Sequence, residues 1–145
     1  MKSFWNESDR NAMLARIDSV TAASKPLWGK MSAEAMLAHL EQTLRMTTGE
    51  LPTKSKKLPI RYFPLKQLII YLLPFPKGTP TAPELLVSNP AAVEETRRQL
   101  RQRMNALANF QGPFPEHPAF GQLTRNQTGV LIQRHFDHHL RQFGA

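Results

Sequence analysis

The chain has 145 residues, a formal net charge of +8 and no cysteine. This length suits one domain, 1–145, with a single sizeable core, and it is too short for two full domains. Without cysteine there are no disulfides and no thiolate metal sites, so a metal would need imidazole, carboxylate, backbone or water ligands.

The amino-terminal sequence MKSFWNESDR resembles neither a signal peptide nor a transit peptide, so we expect a cytoplasmic protein. The densest apolar run, residues 68–75, is well short of the ~20 residues that span a bilayer. It also contains Pro74, so the sequence predicts no transmembrane helix.

Apolar residues at helical spacing predict a first helix within residues 6–20. Ser32 is a good N-cap for a second helix that stops at Gly49, and His39 lies on the flank of its apolar stripe. The apolar residues of the two helices are Met13, Leu14, Ile17 and Val20 in the first, and Met36, Leu37, Leu40 and Leu44 in the second.

Residues 51–90 hold most of the prolines, so continuous helix is excluded there, although a short apolar helix fits residues 65–73. The third long helix is predicted to open with Asn89 as cap and Pro90 at its first position. Its buried face is predicted to carry Val93, Leu100, Met104 and Leu107.

The last predicted helix begins at a capping box formed by Thr124 and Gln127 and runs to Phe143. No segment shows the alternation of a strand. The sequence therefore predicts an all-α fold, an antiparallel four-helix bundle with a long proline-rich crossover between its second and third long helices.

The segment HFDHHLRQFG, residues 135–144, contains three of the five histidines. On a helix that turns about 100° per residue, Ile132, Phe136 and Phe143 define the buried face. His139 falls within this face and His135 at its edge, whereas His138 points about a quarter turn away and is expected to face solvent.

Two neutral imidazoles four residues apart can bind one metal ion from a single helix face, and His39 is the obvious third ligand. The pair is equally compatible with two core histidines that hydrogen-bond to the backbone or to each other, and the spacing alone leaves both possibilities open. His117 lies in a proline-flanked loop and is interpreted as a surface loop residue rather than a ligand.

The sequences LWGKMSAEAMLAHL, PKGTPTAPELL and HPAFGQLT, followed by HFDHHLRQFG, resemble the DinB-like (YfiT-like) four-helix superfamily. The similarity is strongest to its uncharacterised branch ending H-x-x-H-H-L-R-Q-F-G. The resemblance implies a divalent metal, commonly nickel or zinc, held by His39, His135 and His139. The sequence departs from this pattern at Thr128 and Gly129, where similar sequences place Trp-Gly.

These observations favour a metal-dependent enzyme, either a hydrolase or a thiol-dependent transferase, acting on an unidentified small molecule. Because the chain has no cysteine, a transferase would need an external low-molecular-weight thiol. Asp137 and His138 are candidates for supporting or general-base roles, against the alternative that both belong to a solvated helix surface. The sequence is also compatible with a homodimer.

A second hypothesis is a basic interaction module that binds an anionic membrane or a nucleic-acid backbone, with a structural or vestigial metal site. No acidic residue occurs between Glu50 and Glu84, and residues 54–77 interleave positive charge with Tyr62, Phe63 and an apolar run. Alternatively, these residues cover an open end of the bundle with solvated lysines. Specific nucleic-acid binding is not expected.

Overall fold

The computed structural model describes all 145 residues as five α-helices and two short 3₁₀ turns, with no β-strand. This confirms the predicted all-α fold. The helices are α1 (Glu7–Ser19), α2 (Ala33–Thr48), α3 (Leu65–Tyr71), α4 (Val93–Ala108) and α5 (Arg125–Gln142). None of them combines the length and the apolar character that a membrane crossing requires.

Most helix ends follow the capping chemistry of the sequence. Asn6 and Ser32 accept hydrogen bonds from backbone amides in the first turns of α1 and α2, and Gly49 ends α2 with a left-handed φ of 84°. The capping box of Thr124 and Gln127 forms at the start of α5 as predicted. These side chains satisfy amides that the helix itself leaves without partners.

The predicted start of the third long helix is wrong. Asn89 and Pro90 lie outside α4, which begins at Val93 after an extended Ala92 that makes no side-chain cap. Val93, the first residue of α4, is buried in the core. A cap contributes only about 1 kcal/mol, so a cap signal in the sequence does not by itself fix the first residue of a helix.

The main core lies between α1, α2, α4 and α5. The apolar residues predicted for α2 and α4 are all buried, as are Met13, Ile17 and Val20 of the first segment, while Leu14 is only partly buried. The most extensive helix pair is α2 with α4, where buried Glu41 pairs with Arg45 and Arg103. This pairing fixes α2, and with it His39, in the fold.

The crossover, residues 50–92, packs against α5 through a second, smaller core. Ile70 of α3 is fully buried there with residues of α5 and its preceding loop. Arg134 of α5 donates hydrogen bonds to the carbonyl oxygens of Ile69 at 2.6 Å, Ile70 at 2.5 Å and Leu73. The short helix α3 is therefore held against α5, where it forms one wall of a cavity.

Candidate metal centre and adjoining cavity

Three histidines from two helices converge on one point. His39 projects from α2, and His135 and His139 project from α5. The Nε2 atom of His135 lies 3.1 Å from Nε2 of His39 and 3.1 Å from Nε2 of His139. The ligand atoms of all three histidines lie within 4.8 Å of one another. Ligands about 2.0–2.1 Å from a tetrahedral metal stand roughly 3.3 Å apart, so the two 3.1 Å contacts of His135 match the spacing of ligands on one ion.

Neighbouring groups fix the tautomers of the two outer rings. Nδ1 of His39 lies 3.3 Å from the carbonyl oxygen of Leu85, and because a carbonyl only accepts, this nitrogen is the protonated one. Gln142 donates to the carbonyl oxygen of Trp28 at 2.9 Å, so its Oε1 accepts from Nδ1 of His139 at 3.0 Å. In both rings Nε2 therefore carries a lone pair directed at the common point.

Burial keeps all three imidazoles neutral at neutral pH. It lowers the pKa of His39 below its ordinary value and lowers the pKa of His139 to about 4. The pKa of His135 is lowered well below its ordinary value, first by burial and then by the neighbouring imidazoles. Neutral imidazole is the form that binds metal ions.

The arrangement leaves a hydrogen-bonding deficit that a cation would satisfy. A neutral His135 can donate one Nε2 proton to one neighbour only, so at least one of the two 3.1 Å contacts sets lone pair against lone pair. A divalent ion accepts all three lone pairs at once. The three histidines therefore fit a metal ion better than they fit a closed hydrogen-bonded core cluster.

A cavity of about 710 Å³ adjoins the three histidines. Its wall is mainly apolar, and it is built by α2, α5, the crossover and the loop that precedes α5. Apolar wall residues include Ile60, Ile69, Leu73, Leu85, Phe114, Phe120, Leu123 and Leu131. A concave apolar space beside a few polar groups is the usual form of a small-molecule site.

His117 lies in the loop before α5, as interpreted from the sequence, but it is half-buried in the cavity wall rather than at the surface. Its Nδ1 accepts hydrogen bonds from the backbone amides of Ala119 at 3.1 Å and Phe120 at 3.3 Å. Burial lowers the pKa of His117 to about 4. It lies outside the group of three histidines, and the only sequence signal for its position was its place at the head of the HPAFGQLT motif.

The two candidates for supporting or general-base roles, His138 and Asp137, lie in different environments. His138 is half-buried rather than fully solvated, lines the cavity and has its ring centroid 5.9 Å from that of Trp28, but it is not one of the three converging histidines. Asp137 accepts from Arg16 at 2.7 Å and from Arg141 at 3.0 Å, and it does not line the cavity. Asp137 therefore lies in a surface ion-pair network.

The fold and this centre define the class as an all-helical protein with a three-histidine site beside an apolar cavity. Residues 6–145 match the family described as "Protein of unknown function (DUF1569)", and the chain belongs to that family. No curated protein and no solved structure matches the chain.

Proposed function

We propose that this protein is a metal-dependent enzyme in which His39, His135 and His139 bind one divalent ion, nickel or zinc. The observation that supports this most strongly is the convergence of three neutral Nε2 atoms, two of which have their tautomer fixed by Leu85 and Gln142. Three protein ligands that leave a coordination position open are the pattern of catalytic rather than structural zinc.

The substrate is a small molecule that occupies the apolar cavity, and the reaction is a hydrolysis or a transfer to an external low-molecular-weight thiol. A bound divalent ion supplies Lewis acidity for either reaction. The chain itself orients the imidazoles and keeps bulk water away from the reacting groups through the apolar wall. Since the chain has no cysteine, a thiol nucleophile comes from a second substrate.

The resemblance to the DinB-like superfamily accords with this proposal. In the helix arrangement that this resemblance implies, α1, α2, α4 and α5 form an antiparallel four-helix bundle, and the metal ligands lie on α2 and α5. The packing of α2 on α4, and of α1 on both α4 and α5, supports it. A crystal structure of the metal-loaded protein tests the arrangement and should place the ion about 2.0–2.2 Å from each ligand nitrogen.

The direct test is metal analysis of protein purified without a histidine tag and reloaded with zinc or nickel. Replacing His39, His135 or His139 by alanine should abolish stoichiometric binding at neutral pH, because two imidazoles bind far more weakly than three. His138→Ala is the matched control, since this histidine lies on the same helix but outside the cluster. If His39→Ala and His138→Ala behave alike, the assignment is wrong.

A second candidate function is binding to an anionic membrane surface by the crossover. Three apolar side chains there are largely exposed, with 66% of Tyr62, 81% of Phe63 and 70% of Leu72 accessible to solvent. Lysines surround them in a stretch without acidic residues. Exposed aromatic and aliphatic groups among lysines suit the interface of an anionic bilayer.

Vesicle co-sedimentation tests this candidate. The protein should bind vesicles that contain phosphatidylglycerol and not pure phosphatidylcholine, and the double substitution Phe63→Ser, Leu72→Ser should abolish the binding. Leu27→Ser is a matched control, because Leu27 is 71% exposed and lies outside the basic stretch. Equal binding to both kinds of vesicle, or salt-sensitive binding to nucleic acid alone, would contradict it.

A further inference from the structure

The imidazole of His117 is held in a single tautomer by its own loop. Its Nδ1 accepts two backbone N–H groups, from Ala119 and Phe120, so this nitrogen carries a lone pair and the ring proton is on Nε2. The backbones of His117 and Gly121 exchange two hydrogen bonds of 2.9 Å, which closes the loop and fixes the ring. The Nε2–H group is therefore an oriented donor.

This donor is available to a molecule in the cavity. His117 is half-buried and lines the cavity, and its Nε2–H makes no hydrogen bond within the protein. His117 and the three converging histidines line the same cavity. A half-buried donor beside apolar walls pairs favourably with an acceptor that a ligand brings.

The charges around the cavity also favour a ligand that carries a hydrogen-bond acceptor. Lys30 and Lys56 are the charged nitrogen groups in its wall, and Glu116 is its one carboxylate. That carboxylate already accepts from Arg61 at 3.2 Å, so it is neutralised within the protein. Positive charge and a fixed N–H donor attract oxygen acceptors and disfavour cations.

We propose that the cavity binds an apolar small molecule carrying a carboxylate or carbonyl oxygen, and that His117 donates the hydrogen bond that recognises this oxygen. The inference deepens the proposed function, on which it rests for the identity of the cavity as the substrate site. It makes His117 a substrate-binding residue and not a metal ligand, because its Nδ1 is engaged by two backbone amides and its Nε2 carries the ring proton.

Two substitutions separate this role from a purely structural one. His117→Asn places an oxygen near the position of Nδ1, so it retains the acceptor for the two backbone amides and removes the distal donor. His117→Gln places an amide NH₂ near the position of Nε2, so it retains a donor towards the cavity and removes the acceptor. A donor role predicts that Asn impairs ligand binding, whereas a loop-capping role predicts that Gln is the more damaging change.

The probe is 4-phenylbutyrate, titrated by calorimetry into zinc-loaded and into EDTA-treated protein. We expect binding to both forms, weakened about tenfold or more by His117→Asn and less than about threefold by His117→Gln. The cation 3-phenylpropylammonium, which has the same apolar part and no acceptor oxygen, should not bind. In nitrogen-15 spectra the Nε2–H signal of His117 should shift on adding the carboxylate, while Nδ1 stays unprotonated.

Each outcome separates this inference from the proposed metal function. Unchanged probe affinity in His117→Asn, a larger loss in His117→Gln than in His117→Asn, or no binding to either form would overturn the role of His117. Stoichiometric zinc in the same preparations would leave the metal function standing. Probe binding that depends on His117 in a protein that takes up no metal would refute the metal function and retain the inference.

Discussion

Gln142 links the candidate metal centre to the segment that precedes α2. Its Oε1 accepts from His139, and its amide nitrogen donates to the carbonyl oxygen of Trp28. We expect Gln142→Ala to weaken zinc binding by about 10- to 100-fold, because the ring of His139 loses the partner that sets its tautomer. Competition with a chromogenic chelator measures the change.

Gln142→Glu provides a sharper comparison. A carboxylate still accepts from His139, so zinc affinity should stay within a few-fold of the wild type, although the donor to Trp28 is lost. Gln102→Ala, an exposed position on α4, serves as the control. Equal zinc affinity in Gln142→Ala and Gln102→Ala would show that His139 does not need this partner.

At the scale of single residues, the sequence predicts some residues of the candidate metal centre and cavity and not others. The direction of His135 and His139 on their helix followed from the helical angle alone, because both lie on one predicted element. Gln142 occupies the same helix face three residues after His139, so its contact with that ring was within reach of the same reasoning. Its bond to Trp28 depends on how distant segments pack and has no local signal. The place of His117 in the cavity wall also depends on that packing, and its only local signal is the HPAFGQLT motif that it begins.

At the scale of elements, the start of α5 depends on the absence of a side chain at Gly129. A Cβ atom built there would lie 2.4 Å from atoms of the Trp5 ring and 2.5 Å from Oγ of Ser3. The backbone of Gly129 also accepts from the amide of Phe4 at 3.0 Å. The amino-terminal segment therefore packs directly on the first turns of α5, where Thr128 lines the cavity.

We expect Gly129→Ala to lower the free energy of unfolding by about 1–3 kcal/mol, because the indole must move away from a well-packed position. Urea unfolding measures the change. Combined with Trp5→Ala, the same substitution should cost less than it does alone, since the obstructing ring is gone and only Oγ of Ser3 remains close. Additive effects of the two changes would contradict direct packing of Trp5 on Gly129.

The attachment of α3 to α5 depends on Arg134, whose guanidinium caps carbonyl groups at the end of that short helix. Arg134→Ala should increase hydrogen exchange of the α3 amides by about tenfold or more, because three carbonyl groups lose a charged donor. Arg141→Ala is the control, since its side chain is 72% exposed and pairs only with Asp137. Unchanged exchange in α3 would show that the apolar contacts of Ile70 suffice.

Periodicity and capping residues predicted the long helices well, because each buries one apolar face that repeats with the helical turn. The predicted start of α4 is wrong because Asn89 and Pro90 form a good local cap signal, and a signal worth about 1 kcal/mol does not by itself fix the first residue of a helix. The short helix within residues 65–73 was expected from its apolar run. The position of α3 in the cavity wall depends on its contacts with α5, which the local sequence does not indicate.

At the scale of the whole molecule, positive charge is distributed unevenly. Arginines of α4 pair with carboxylates of the same helix or its neighbours, including Arg98 with Glu95 at 2.5 Å and Arg101 with Asp18 at 2.6 Å. The lysines of the crossover have no carboxylate within their own stretch, because residues 51–83 contain no acidic residue. The surplus behind the net charge of +8 therefore concentrates at the crossover, whose Lys56 lines the cavity.

The buried histidines also make the stability of the whole metal-free protein depend on pH. Burial lowers the pKa of both His117 and His139 to about 4, whereas an unfolded histidine titrates near its ordinary value of 6.5. Above that value both states are neutral and the full stability is present. As the pH falls from about 6.5 to 4 the unfolded chain takes up protons first, so the free energy of unfolding decreases.

We expect each of the two histidines to contribute a loss of up to about 3 kcal/mol across this interval. Urea unfolding of EDTA-treated protein at pH 7.5 and pH 4.5 measures the total loss. Carboxylates in ion pairs also become protonated near the lower pH, so the comparison that isolates one imidazole is wild type against His117→Asn, which cannot titrate. The variant should lose less stability than the wild type between the two pH values, and an equal loss would mean that His117 is not held neutral by burial in the folded protein.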